Sequence, residues 1–467
     1  MTDKKSTRLN ISARSFIAAV AVIFILMVAA YALTIFVPGG VFERVADENG
    51  NMIINASSEF TYVEGGISFF KWLLSPILVL GATGNGALIA VIIFLLVIGG
   101  IFFSLDSCGL IKYMLDKLSS RFGGMRYKLM AFIILFFMAL GAMIGSFEEC
   151  VPLVPIVVAL SIRLGWNDVT GIGMSILAAG CGFASGVCNP FTVGVAQQLA
   201  GLPMFSGIWL RAPSFVLIYC LLFGFIFFYA KKIELPVDTL REDTEFKSDD
   251  KMNRAMIAFT SILGVGVLAV LSSAFIPALQ SYTMVIVAVM FLIAGIASTL
   301  LSGMSISALG KTSLKGVVSI LPAVVMILMA SSIKYTLEEA NVLDTILFHS
   351  IEAAEAMPRW SIILFIYLIV LVINFFIPSG SAKAFMLIPL IVPIAQTFGI
   401  SSQLCIIAFA FGDGFSNVFY PTNPALLISL GLADTSYGTW FKWCWKFQLL
   451  NLILTSAILL FGFAIGY

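Results

Sequence analysis

The sequence predicts an all-α polytopic membrane protein made of two inverted repeats. Each repeat holds a re-entrant helical hairpin and a broken transmembrane helix, with about ten full spans in all. Three observations predict it. The 467 residues are 60% hydrophobic and 11% charged, where soluble domains carry about a quarter charged residues. Apolar runs of about 20 residues, the length that crosses ~30 Å of hydrocarbon, recur along the chain. Two longer apolar segments, 129–164 and 360–398, are interrupted at their centres by polar residues and proline.

The elements follow in order. Lys4, Lys5, Arg8 and Arg14 precede the first span, Phe16 to Val37. Basic residues beside a span end stay inside, so the N-terminus is cytoplasmic. That run is too long for a signal-peptide core and lacks a small-residue cleavage site, so it reads as a retained helix. Residues 39–66 are external, 67–80 (with Phe69, Phe70 and Trp72) form an interfacial helix, and 86–105 cross back. Lys112, Lys117, Arg121, Arg126 and Lys128 against Asp116 mark a cytoplasmic stretch. The first broken segment and spans near 169–199 and 213–230 complete a first repeat, residues 1–230 with its N-terminal spans.

Residues 231–254 read as a charged cytoplasmic linker. The second repeat, 255–467, has an extra leading span. Its spans lie near 255–275, 282–301, 316–334, 402–433 and 447–466. Between them lie the second broken segment and an acidic external stretch with Glu338, Glu339, Asp344, Glu352 and Glu355.

An offset of 234 residues relates the two broken regions without a gap over about 45 positions: Pro155 falls on Pro389, Gly165 on Gly399, Gly180 on Gly414, and Asn189-Pro190 on Asn423-Pro424. Past a three-residue deletion, Gly207, Trp209 and Arg211 fall on Gly438, Trp440 and Lys442. Counting spans, the first segment is entered from the cytoplasm and the second from outside. Each is too long for one span and too interrupted for two, so each reads as a hairpin reaching the midplane. Irregular backbone at that depth requires surrounding protein or a water-filled cavity.

The chemistry gathers at the interruptions. One tip carries Ser146, Glu148 and Glu149, and the other Ser379, Gly380, Ser381 and Lys383. The following helices break at Asn189-Pro190 with Thr192, and at Thr422-Asn423-Pro424 with Asn417 just before. Proline opens the helical ladder, and Asn, Ser and Thr offer donors and acceptors to a ligand there. A carboxylate at bilayer depth is expensive and marks function by default, which selects Glu148, Glu149 and Asp413. These thirteen residues form the candidate substrate-binding set.

Lys383 falls on Glu149 under the offset. Two readings stand: a buried Glu149–Lys383 ion pair locking the hairpins, or an ammonium standing where a coupling cation would sit, with little sodium dependence. Three acids against one base favour cationic or zwitterionic solutes. Arg211 and Lys442, beside Trp209 and Trp440, are expected at the membrane interface.

Other classes find little support. Net charge is +1, the seven cysteines are scattered, and the single histidine is His349. Nothing points to nucleic acid, a metal, a cofactor or a disulfide framework. No Ser/His, HExxH or paired-Asp pattern suggests an intramembrane enzyme, and a passive channel is the remaining rival class.

The motifs resemble the ion transporter superfamily, specifically the C4-dicarboxylate anaerobic carrier family and its YfcC-like branch. They are Gly-Ser-Phe-Glu-Glu at 145–149 with Pro152 and Pro155, Asn-Pro-Phe-Thr-Val-Gly at 189–194 with Gly201-Leu202-Pro203, Pro-Ser-Gly-Ser at 378–381, and Phe-Gly-Asp-Gly-Phe-Ser-Asn at 411–417 with Pro421-Thr422. The resemblance covers nearly the whole chain. It implies a scaffold domain that dimerises, an elevator-type transport domain and a bacterial inner-membrane location. It also implies a small charged solute: a dicarboxylate, a short-chain acid or a basic amino acid. Lys383 departs from the small or amide residue expected there, which questions cation coupling at that tip. The leading expectation is a secondary transporter exchanging arginine and ornithine. A carboxylate symporter is the alternative.

Overall fold

A computed structural model describes residues 13–46, 52–54, 59–82, 86–122, 125–145, 147–203, 205–235, 248–273, 283–355 and 357–467. Lys4, Lys5, Arg8 and Ser146 lie outside the described residues.

The first half opens with α1 (Ala13–Phe36), two short antiparallel strand pairs between residues 40 and 62, and two short helices, α2 (Phe69–Leu73) and α3 (Ser75–Leu78). The single interfacial helix expected over 67–80 is thus divided, because Pro76 opens α3 and Leu74 ends α2. Trp72 is buried, its indole N–H donating to the Met27 carbonyl at 3.1 Å. Then come α4 (Gly86–Ser107), α5 (Leu110–Phe122) and α6 (Arg126–Ile144). A 3-10 stretch, Glu148–Leu153, leads to α7 (Val154–Arg163). α8 (Asp168–Ser185) is followed by a break, a wide turn Pro190–Gly194, α9 (Val195–Leu199) and α10 (Ile208–Ile233).

The second half holds α11 (Asp250–Ser273), α12 (Thr283–Leu301), α13 (Ile306–Glu339), α14 (Val342–Glu355), α15 (Arg359–Phe376), α16 (Gly380–Thr397), α17 (Ser402–Asn417), α18 (Pro424–Leu432) and α19 (Tyr437–Ala464). α13 has 34 residues, about 51 Å at 1.5 Å per residue, far longer than the span expected over 316–334. It absorbs the start of the acidic stretch. α10 and α11 likewise extend into the two ends of the expected 231–254 linker.

Among the described residues, eight helices are long and apolar enough to cross a membrane, and α1 and α12 carry shorter apolar windows. Many are apolar all round, as helices that face lipid on one side and protein on the other must be.

Packing repeats at the 234-residue offset. α6 lies on α8 as α15 lies on α17, α10 on α8 as α19 on α17, and α9 on α16 as α18 on the 148–153 turn and α7. Local capping repeats too. Asn167 Oδ1 accepts from the Thr170 amide, and Ser401 Oγ, 234 positions on, accepts from the Leu404 amide. Gly165 and Gly399, which end α7 and α16, both have left-handed φ, +87° and +66°.

At the centre α8 crosses α17. A Cβ on Gly180 would overlap Val418, and one on Gly414 would overlap Ala184. Exchanging the halves maps one contact onto the other, as a two-fold axis through the crossing would.

Polar contacts collect in two groups. Arg44 pairs with Asp344 at 2.8 Å, the Phe42 amide donates to the same carboxylate at 3.1 Å, and Lys71 pairs with Glu339. In the other group, Arg163 pairs with Asp116 and Arg126 with Glu234, each at 2.6 Å, and Tyr113 Oη donates to the Asp249 carbonyl at 3.4 Å.

Candidate functional site

The site is built from two interrupted helices and the two tips that meet them. α8 ends at Gly186, whose left-handed φ of +53° turns the chain out of the helix. Asn189 then restarts it. Its Oδ1 accepts from the amides of Phe191 (3.0 Å) and Thr192 (3.3 Å), and its Nδ2 donates to the Phe183 carbonyl at 3.3 Å. The second break repeats this. Asn423 Oδ1 accepts from the amides of Ala425 (2.9 Å) and Leu426 (3.3 Å), with Pro424 at the first helical position. The two asparagines were expected to offer donors and acceptors to a ligand. The structure uses both as helix caps, because the amides left open after each break need an acceptor where water is scarce.

The second tip is Ile377-Pro378-Ser379, between α15 and α16. Lys383, in the first turn of α16, is fully buried. Its ammonium lies 2.6 Å from Asp413 Oδ1, donates to the Ile377 carbonyl at 2.6 Å and donates to Asn374 Oδ1. The expected Glu149–Lys383 pair is therefore replaced by Lys383–Asp413. The fold sets Lys383 against α17, where Asp413 supplies the counter-charge.

Asn374 Nδ2 in turn stands within hydrogen-bond reach of the Asp413 carbonyl (3.0 Å), Ser416 Oγ (2.6 Å) and Asn417 Oδ1 (2.9 Å). Asn423 Nδ2 donates to the same Asn417 oxygen at 3.1 Å. One buried polar chain thus runs from Lys383 through Asn374 and Asn417 to the cap of the second break.

Gly380 sits where no side chain fits. A Cβ there would come within 2.7 Å of Asp413 Oδ2 and 2.7 Å of Thr192 Cγ2. The second tip therefore touches a residue of the first break. Asp413 Oδ2, Thr192 Oγ1 and Thr422 Oγ1 are buried without a hydrogen-bond partner, so polar groups remain available in this region. Ser379 is exposed and Ser381 half-buried on the same turn.

At the first tip α6 closes on Gly145, with φ +75°, whose would-be Cβ lies 2.8 Å from the Phe191 ring and against the Asn189 side chain. Glu148 and Glu149 follow, half-buried, on the 3-10 stretch that packs against α18. Among the described residues no cluster of three or more His, Cys, Asp or Glu side chains forms a metal site.

The profile of the C4-dicarboxylate anaerobic carrier family matches residues 16–464. The chain belongs to this family. The carrier is 28% identical over 403 residues, 82% of its own length and 79% of the relative's, to an Escherichia coli (strain K12) protein described as "Putative basic amino acid antiporter YfcC". It is 24% identical over 364 residues, 75% of its own length and 71% of the other's, to an uncharacterized protein of Haemophilus influenzae. Alignment to the YdaH transporter of Alcanivorax borkumensis covers 97% of the carrier and 99% of that chain, with TM-score 0.43 and 18% identity. Alignment to MtrF of Neisseria gonorrhoeae covers 95% and 94%, with TM-score 0.47 and 15% identity. The protein is a multi-pass membrane transporter, and the family and its described relative are carriers, not enzymes.

One residue of the carrier escaped the sequence reading. Asn374 organises the Lys383 network. The signal was a lone amide inside the otherwise apolar 360–376 run. Arg211 and Trp440, expected at the interface, are fully buried, whereas Lys442 and Trp209 are exposed. The Phe205 carbonyl accepts from Arg211, and Gln197 holds Phe205 and Ser206, contacts that no periodicity in the sequence announces.

Proposed function

We propose that this transporter exchanges basic amino acids, arginine and ornithine in particular, by an elevator-type movement of a transport domain holding both tips and both broken helices. The carrying observation is the Lys383–Asp413 ion pair. It is neutral as a unit, so the other ionisable residues of the tips, Glu148 and Glu149, give the region an acidic balance that suits a cationic solute. The ammonium of Lys383 also fills a site lined by three oxygens, from Asp413, Ile377 and Asn374, the kind of set a hard cation would take. A tethered cation there supports transport without added sodium. The reciprocal packing at the 234-residue offset supports two inverted repeats, 1–230 and 255–467, with re-entrant tips meeting at depth. Ser146, Ser379, Ser381, Thr192, Thr422, Asn189, Asn417 and Asn423 belong to the proposed pocket with the charged residues. The homodimer and the bacterial inner membrane complete the reading.

The family description favours a second reading, symport of a dicarboxylate or short-chain carboxylate. Liposomes loaded with ornithine and bearing the purified protein are expected to take up labelled arginine in sodium-free buffer. Glu148→Gln and Glu149→Gln are each expected to reduce that uptake at least tenfold with unchanged gel-filtration profiles. Uptake driven by internal succinate or lactate instead would reject the amino-acid reading, and full activity in both variants would remove the glutamates from the site.

A further inference from the structure

Arg211 is a fully buried guanidinium in the first turn of α10. Its Nη2 donates to two neutral acceptors, the carbonyls of Phe205 (3.2 Å) and Val187 (3.5 Å). Its Nε, with one N–H, and its Nη1, with two, make no well-formed hydrogen bond, and the polar side chain beside them is the neutral phenol of Tyr467. The ion pairs among the described residues involve Arg44, Lys71, Arg126, Arg163, Lys334, His349 and Lys383, and none involves Arg211. Guanidinium stays protonated in proteins, so it cannot relieve burial by losing its charge. A buried charge whose polar neighbours, two carbonyls and a phenol, are all neutral calls for an anion.

The surroundings are built to hold the side chain in place. Phe205 has a left-handed φ of +57°, unusual for a bulky residue. Gln197 Oε1 fixes it by accepting from the Phe205 amide at 2.6 Å, and Gln197 Nε2 donates to the Ser206 carbonyl at 2.8 Å. Phe205 thereby presents its carbonyl to Nη2, and the Tyr467 phenol, which donates to the Gly207 carbonyl, is the other polar group beside the guanidinium. The arrangement is confined to one half, since Lys442, which the repeat sets opposite Arg211, is exposed. A role in supporting the repeat would recur in both halves.

The location couples Arg211 to the site described above. Val187 lies in the first break, and the first tip, just before Glu148, seats on Asn189 and Phe191 of that same break. An anion acceptor and an acidic tip thus touch one unwound segment.

We propose that Arg211 binds the carboxylate of the transported solute. The solute then spans the first break, with its carboxylate on Arg211 and its cationic end toward Glu148 and Glu149. The carboxylate assignment stands on Arg211 itself; only the cationic end rests on the amino-acid reading.

The test compares arginine with agmatine, which lacks only the carboxylate, as competitors for labelled ornithine on the purified full-length protein. Wild type is expected to prefer arginine at least tenfold, and Arg211→Gln to lower that ratio to about one while agmatine binding persists as a control for folding. Arg211→Lys, which keeps a buried cation, is expected to show an intermediate ratio. Equal competition by agmatine in wild type, or an unchanged ratio in Arg211→Gln or Arg211→Lys, overturns the proposal. Replacing chloride by gluconate tests a free anion. Chloride-dependent binding of both ligands that disappears in Arg211→Gln assigns the site to an ion and overturns the carboxylate. If wild type binds succinate and neither amino acid, the amino-acid reading fails alone. Arg211 is then judged by succinate affinity, expected to fall at least tenfold in Arg211→Gln, and no fall overturns it.

Discussion

Lys383 and Asp413 show how a single side chain sets local chemistry at the tip. Both are fully buried, so each depends on the other for its counter-charge. Removing one partner leaves an unpaired charge, which typically costs about 3–5 kcal/mol, whereas removing both can be nearly neutral. Lys383→Met and Asp413→Asn are therefore each expected to lower the thermal midpoint of the purified protein markedly. The double variant is expected to recover most of that loss. A double variant as unstable as the sum of the singles would show that the two residues act independently. Asn374 belongs to the same unit, since it accepts from Lys383 and reaches toward Asn417 at once.

After each break the chain restarts at an Asn-Pro pair whose asparagine caps the turns that follow. The proline removes an amide that would have no partner, and the asparagine oxygen takes up the two amides that follow. Loss of such a cap typically costs about 1 kcal/mol, more where water cannot substitute. Asn189→Ala and Asn423→Ala are both expected to destabilise by at least that amount in denaturant or thermal unfolding. Asn423→Ala is expected to lose more, because its Nδ2 also donates to Asn417 and so joins the Lys383 network. An equal loss in the two variants would show that this link contributes nothing. The matched positions were legible in the sequence through the 234-residue offset. The capping role was not, because an asparagine before a proline looks the same whether its amide faces a ligand or its own backbone.

Outside the buried network around Lys383, the ion pairs between distant segments form two groups, and the charge pattern of the sequence agrees with the separation. The stretches read as external, 39–66 and 338–359, meet through Arg44–Asp344, and the interfacial segment 67–80 meets the second of them through Lys71–Glu339. Those read as cytoplasmic, 112–128 and 231–254, meet through Tyr113–Asp249 and Arg126–Glu234. In a variant freed of its seven native cysteines, Glu64→Cys is expected to react with a membrane-impermeant thiol reagent on intact cells. Asp250→Cys is expected to react only after permeabilisation. The reverse pattern would invert the orientation and move the N-terminus outside.

The sequence by itself determined that this protein lives in a membrane, where its helices break and which positions align at the 234-residue offset. Lipid leaves no other use for runs this apolar, and breaks in such runs need proline and side chains that can cap. Only the tertiary structure decided the partners: that Lys383 faces Asp413 and not Glu149, and that Arg211 is buried against the carbonyls of Val187 and Phe205. Charge pairing in a low-dielectric interior depends on distances of a few ångströms between helices far apart in the chain, and linear order does not encode them.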